Sequence, residues 1–105
     1  MRERDVERRL GVLVRRAGGM CLKWSSPGTL GVPDRIVVMP GGRVLFVELK
    51  RPGETPRPSQ TAFHAKLARR GVRVYVVDDA DAFVRDVLGE QGVRPVEAGG
   101  NGEGQ

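Results

Sequence analysis

The sequence lacks the residues on which several classes of protein depend. Cys21 is the single cysteine and His64 the single histidine among 105 residues, which excludes a disulfide framework, a cysteine-cluster zinc site and chemistry built on paired histidines within one chain. No apolar run approaches the roughly 20 residues that span a bilayer, and the charged start MRERD has no apolar segment behind it. We therefore expect no membrane segment and no signal peptide, and a location in a bacterial-type cytoplasm.

Acidic residues are scarce over the first three quarters of the chain. Residues 1–75 contain 16 Lys and Arg but 6 Asp and Glu, a net charge of +10, whereas residues 76–105 contain 2 basic and 7 acidic residues, a net charge of −5. The basic body predicts a polyanionic partner, most simply nucleic acid, although a charge that only keeps the protein soluble would give the same count. Residues 89–105 hold six glycines and little that is apolar, and we predict a disordered tail there.

Hydrophobic periodicity predicts one α/β domain over residues 1–88, a small mixed sheet flanked by helices. The predicted elements are a helix at 3–17, strands at 20–24, 34–39 and 43–50, a helix at 59–70, a strand at 72–77 and a last helix ending near 88. We expect Ser59 to be the N-cap of the second long helix and Asp79 or Asp81 that of the last. The turn Pro40-Gly41-Gly42 predicts an antiparallel hairpin, and the crossover into strand 72–77 predicts a parallel pair.

Three charged residues lie at one end of the predicted hairpin: Asp34, Glu48 and Lys50. If the turn has three residues, paired positions sum to 82 and Asp34 lies opposite Glu48, with Cβ atoms about 5 Å apart. A two-residue turn would pair position 34 with 49 instead. Two carboxylates this close repel each other unless a cation lies between them, and Mg²⁺ or Mn²⁺ prefers such oxygen ligands. The alternative is a salt-bridged sheet edge in which Lys50 neutralises Glu48.

The same residues carry a family resemblance. The segments Gly31-Val32-Pro33-Asp34-Arg35, Gly41-Gly42-Arg43-Val44 and Phe46-Val47-Glu48-Leu49-Lys50, followed by Gln60 in the next helix, resemble the VRR-NUC family of the PD-(D/E)XK nucleases. The resemblance runs from about residue 4 to residue 79 and is to the stand-alone, phage-type members. It implies a restriction-endonuclease-like αβββαβ core and a phosphodiester hydrolase that uses Mg²⁺ or Mn²⁺.

The resemblance also implies roles for single residues. Asp34 and Glu48 would be metal ligands together with the backbone carbonyl of Leu49, and Lys50 would be the catalytic lysine. Gln60 would support the site, and Glu7 matches the acidic residue that the family carries on its first helix, in preference to Glu3.

The implied activity is that of a structure-specific DNA endonuclease, of the Holliday-junction-resolving type, that acts as a homodimer on branched DNA in a bacterial or phage-infected cell. The alternatives are a non-catalytic nucleic-acid-binding module and a flap-directed or general DNA endonuclease. We expect the helix at 3–17 to form part of the dimer interface. The basic residues expected to contact DNA are Arg35, Arg51, Arg57, Lys66, Arg69 and Arg70.

Three further residues allow two interpretations each. His64, one turn after Gln60, could approach the scissile phosphate, but the pattern favours a partly exposed helix histidine. Cys21 lacks a basic partner at motif spacing, which favours a structural thiol over a reactive one. Trp24 could stack on an unpaired base or pack in the core.

Overall fold

The computed structural model describes residues 1–89, and most of the predicted tail, residues 90–105, lies outside them. Eight elements follow one another. They are α1 (Glu3–Arg16), β1 (Met20–Lys23), β2 (Arg35–Met39), β3 (Arg43–Leu49), α2 (Pro58–Ala68), β4 (Val74–Val77) and α3 (Ala80–Phe83), which runs on into a π-helical segment, Val84–Leu88. The fold is therefore the predicted α/β arrangement.

The four strands form one mixed sheet in the order β1-β2-β3-β4. The pairs β1–β2 and β2–β3 are antiparallel, and the pair β3–β4 is parallel. The hairpin turn contains Pro40, Gly41 and Gly42, and Met39 pairs with Arg43, so that paired positions in β2 and β3 sum to 82 as predicted. Both glycines have positive φ, 87° and 81°, a conformation that side chains disfavour.

The main core lies between the sheet and the helices α1 and α3. The odd-numbered residues of β2 and β3 face this side and are buried together with the apolar stripe of α1. The stripe consists of Val6, Leu10 and Val14, at the helical spacing of four residues. Because this stripe is buried within the protein's own core, the polar face of α1 is the one left for the dimer interface that we expect this helix to join.

The helix α2 covers the opposite face of the sheet, to which the even-numbered residues of β3 point. Trp24, which follows β1, packs against Phe46 of β3 and Phe63 of α2, with ring centroids 5.3 and 6.3 Å apart. Trp24 therefore has a packing role, one of the two that the sequence allowed.

Several element boundaries differ from the predicted ones. The helix α2 begins at Pro58, so that Arg57 and not Ser59 precedes it, because proline suits the first helical position. The predicted N-cap at Ser59 is wrong, and the backbone N–H of Arg57 donates to Oε1 of Gln60 instead (2.9 Å). Asp79 caps α3 by accepting a hydrogen bond from the N–H of Ala82.

None of the helices within residues 1–89 is long and apolar enough to cross a membrane.

Candidate active site

Asp34 and Glu48 form the next opposed pair beyond the β2–β3 ladder, which ends with Arg35 opposite Val47. Asp34 is fixed by hydrogen bonds from two backbone N–H groups. Its carbonyl oxygen accepts from the N–H of Trp24 at 2.9 Å, and its Oδ2 accepts from the N–H of Leu49 at 2.7 Å. The carboxylate is thus held at the end of β3, beside Glu48.

The Glu48 side chain is 1% exposed and lies among polar partners. Its Oε2 accepts a 2.7 Å hydrogen bond from Nε2 of Gln60 and lies 3.7 Å from Nζ of Lys50, whose side chain is 3% exposed. Burial, and next the negative charge of Asp34, raise the pKa of Glu48 to about 8, while the charge of Lys50 acts in the opposite direction. In the metal-free protein the raised pKa favours the protonated form of Glu48 at neutral pH, and a cation bound by the two carboxylates would replace that proton.

His64 also reaches Glu48. Its Nε2 lies 3.6 Å from Oε1 of Glu48, and both atoms are buried without a hydrogen-bond partner among the described residues. Burial lowers the pKa of His64, so the imidazole is neutral at neutral pH. The side chain of His64 is 15% exposed, the partly exposed helix histidine that the sequence favoured, and it also faces the site. The spacing of four residues from Gln60 was the available signal, because it places both side chains on one face of α2.

A glycine brings α2 against the loop before β2. Gly31 has φ of 87°, and a Cβ at this position would clash with the carbonyl oxygen of Ser59 in the first turn of α2. This close approach places Gln60 over Glu48. Gly31 is only three positions before Asp34 in the chain, so the position of Asp34 is fixed relative to the same glycine. The loop Gly-Val-Pro therefore couples the position of the helix to that of the first carboxylate.

The donor set suits a divalent cation held partly by water and substrate. Residues 1–89 contain no cluster of three His, Cys, Asp or Glu side chains with metal-binding geometry. Within residues 1–89 the site offers two carboxylates, those of Asp34 and Glu48. Oε1 of Glu48 is buried and has no hydrogen-bond partner there. Mg²⁺ is commonly bound by one or two carboxylates plus water and phosphate oxygens, so Asp34 and Glu48 fit it, with the carbonyl of Leu49 as a further oxygen.

The acidic residues of α1 occupy two different environments. The carboxylate of Glu7 forms an ion pair with the guanidinium of Arg35, on the α1 face of the sheet. Glu3, one turn earlier, is the residue of α1 whose charge contributes to raising the pKa of Glu48. The charge of Glu3 thus reaches the carboxylate pair, and Glu7 is engaged elsewhere.

The basic residues expected to contact DNA do not lie together. Arg35 is in β2 and points to the α1 face, opposite to Asp34. Arg51 pairs with Glu54 at 3.6 Å. The remaining four are exposed at the two ends of α2 and just beyond it: Arg57, Lys66, Arg69 and Arg70.

Comparisons with known proteins agree with this geometry. The sequence profile of the VRR-NUC domain matches residues 16–80. A protein of Acyrthosiphon pisum secondary endosymbiont phage 1, named as nuclease p44 by provisional assignment, is 47% identical over 81 residues, which cover 77% of this chain and 87% of the relative. A solved structure described as a VRR-NUC domain superimposes with a TM-score of 0.74 at 30% identity and covers 81% of this chain and 96% of its own.

Proposed function

The chain belongs to the VRR-NUC domain family, and from that membership we propose that it is a DNA endonuclease whose activity depends on Mg²⁺ or Mn²⁺. The observation that carries the proposal is the group formed by half-buried Asp34 with buried Glu48 and Lys50 at the end of the β2–β3 hairpin. A structural ion pair would need one carboxylate for one lysine. The second carboxylate, opposite the first, raises the pKa of Glu48 and is accounted for by a cation.

Each side chain of the site has a chemical task in phosphodiester hydrolysis. A divalent ion bound by Asp34 and Glu48 would lower the pKa of a water ligand and neutralise charge on a phosphate oxygen. The ammonium group of Lys50, held next to Glu48, orients the attacking water or stabilises the charge that develops on the phosphate. Gln60 is neutral, so it acts by orienting Glu48 through the hydrogen bond to Oε2.

We propose further that the protein acts as a homodimer on branched DNA, with a four-way junction as its preferred substrate. One active site per chain cuts one strand, and the two opposed cuts of a symmetric junction require a two-fold dimer. The edge strand β1 supports this proposal, because Met20 and Leu22 are 55% and 41% exposed on it and its outer edge can pair with a second copy. We propose action in the cytoplasm of a bacterial or phage-infected cell.

Cleavage assays test the proposal. We expect the purified chain to cut a four-way junction faster than a 5′ flap or a linear duplex at matched salt, with Mg²⁺ or Mn²⁺ and not in EDTA. Light scattering should give the mass of a dimer. Activity in excess EDTA would exclude the metal site, and a monomer that cuts linear duplex as fast as the junction would indicate a general nuclease.

Two variants separate chemistry from binding. Lys50→Ala should lose cleavage and still bind DNA, because one buried lysine contributes little to the electrostatic attraction of the whole protein. Glu48→Gln should lose cleavage, and Glu54→Gln, which changes a glutamate on the loop before α2, should keep it. Normal cleavage by Lys50→Ala would remove the catalytic role assigned to that residue.

A further inference from the structure

A basic groove lies between α1 and the edge strand β1, on the face of the sheet opposite to α2. It has a volume of about 410 Å³. Gly11 lies in the middle of its α1 wall, which lacks a side chain there, and the guanidinium of Arg15 extends over this position. We call this basic depression the α1–β1 groove. Its charged lining residues are Arg4, Glu7, Arg8, Arg15, Lys23 and Arg35.

The positive charge of the groove is largely uncompensated. Of its five basic residues, only Arg35 forms an ion pair within residues 1–89, and its partner is Glu7, the single acidic residue of the lining. The charge of Arg15 also reaches the thiol of Cys21 in β1, whose pKa is raised by burial and lowered in part by that arginine. Arg15 therefore faces the strand across the groove, and the groove carries a net charge of +4 from its lining side chains.

The other flank of α1, towards α3, has the opposite charge. Arg9, which follows Arg8 but points away from the groove, pairs with Asp81 at 2.8 Å. A second depression beside it is lined by Asp78, Asp79 and Asp81. A polyanion that approaches the protein is therefore attracted to the α1–β1 groove and repelled from the α3 edge.

The groove reaches the end of the sheet that carries the candidate active site, on the other face. Lys23 pairs with Arg35, whose side chain lies on the α1 face, and Arg35 directly follows Asp34. Arg4, Arg8, Gly11 and Arg15 are spaced by four, three and four residues, so they form one stripe along α1. From Arg4 to Arg15 the helix rises about 16 Å, which equals about five base-pair steps of duplex DNA at roughly 3.4 Å each.

We infer that the α1–β1 groove binds the phosphodiester backbone of a duplex arm next to the cleaved phosphate, over about five base-pair steps. The inference rests on the proposed endonuclease function and adds a binding surface separate from the basic residues of α2. Arginine guanidinium groups and one lysine contact phosphate oxygens without distinguishing bases. The groove thereby contributes affinity and orientation of the substrate, and no sequence preference.

A pair of matched double variants tests the groove. Arg8→Ala/Arg15→Ala removes two charges from it, and Arg9→Ala/Arg16→Ala removes two charges from the same helix outside its lining. Binding of a fluorescent four-way junction is measured by anisotropy in EDTA over a series of NaCl concentrations. We expect the slope of log K against log[NaCl] to fall by about 1.8 for the groove variant and to change by less than half of that for the control. With Mg²⁺ present, the groove variant should raise KM with kcat unchanged.

The possible failures are distinguishable. Equal salt slopes for the two double variants would overturn the inference and leave the endonuclease proposal intact. If the unmodified protein binds no DNA, the proposed function itself is wrong. If the groove variant loses binding of poly-L-glutamate while its DNA binding is unchanged, the groove serves an acidic polypeptide and the inference is also wrong. Circular dichroism melting of both variants establishes that they are folded.

Discussion

Nε2 of His64 and Oε1 of Glu48 face each other at 3.6 Å, both buried and neither hydrogen-bonded within residues 1–89. The other oxygen of the same carboxylate accepts the hydrogen bond from Gln60, one turn earlier on α2. Two side chains of one helix thus cover both oxygens of Glu48. Burial is the largest cause of the raised pKa of Glu48, and the imidazole, which lies against Oε1, is part of what buries the carboxylate.

Removing the imidazole should lower the pKa of Glu48. In His64→Ala, water reaches Oε1 and burial penalises the charged carboxylate less, so the pKa moves from about 8 towards its ordinary value. The carboxyl carbon shift of Glu48, followed by NMR in metal-free protein over a pH titration, measures this change. Arg70→Ala, at an exposed position after the same helix, is the control and should leave the titration unchanged. An unaltered titration in His64→Ala would show that the imidazole does not shield the carboxylate.

The metal-free protein should lose stability as the pH rises from about 4.5 to about 8. Below this range Glu48 is protonated in both the folded and the unfolded chain, and within it the folded state keeps a proton that the unfolded state releases. Each unit of pKa difference corresponds to about 1.4 kcal/mol. Urea denaturation in EDTA at several pH values measures the effect. Glu48→Gln should remove most of this pH dependence of stability. If the variant loses as much stability over the same pH range as the unmodified protein, groups other than Glu48 cause the dependence.

Asp34 should tolerate replacement by asparagine better than by alanine. Both variants lose a metal ligand and should be inactive, and both relieve the repulsion with Glu48. An asparagine oxygen can still accept the hydrogen bond from the N–H of Leu49, whereas alanine leaves that N–H without its partner, at a cost of about 1 kcal/mol or more. Chemical denaturation of the two apo variants at neutral pH compares them. If Asp34→Ala is as stable as Asp34→Asn, the hydrogen bond to Leu49 does not stabilise the fold.

Gly31→Ala should destabilise the protein and reduce cleavage together. A Cβ at this position meets the carbonyl oxygen of Ser59, so α2 must move and Gln60 moves with it. Gly28→Ala is the matched control, because Gly28 has φ of 86° but no atom within 4 Å of the added Cβ. The control isolates the conformational cost of about 1–2 kcal/mol. We expect Gly31→Ala to lose more than this in thermal or chemical denaturation. Equal losses would show that the approach of the helix to the loop is not tight.

The sequence predicted the carboxylate pair because the pair depends on local chemistry. The turn Pro40-Gly41-Gly42 sets the register, and the register decides which residue lies opposite Glu48. The position of His64 could not be obtained in the same way, since it depends on the rotation of α2 about its axis, which the packing of Phe63 against Trp24 helps to set.

Other differences had a signal in the sequence that was not used. Arg35 follows Asp34 directly, and successive residues of a strand point to opposite faces. The side chain of Arg35 therefore lies on the α1 face with Glu7, not with the α2 residues that we had grouped with it. The π-helical segment Val84–Leu88 has no such signal, because its pattern of apolar residues also fits an ordinary helix.

The three-residue turn between β2 and β3 has a consequence for insertions and deletions in the gene. Removing or adding one codon in Pro40-Gly41-Gly42 would shift the pairing by one position, placing Asp34 opposite a residue other than Glu48. The length of this remote turn therefore decides whether the carboxylates face each other, although none of its atoms belongs to the site. Among functional descendants of this chain, single-codon length changes should be tolerated in the loop 25–30 far more often than in the turn 40–42.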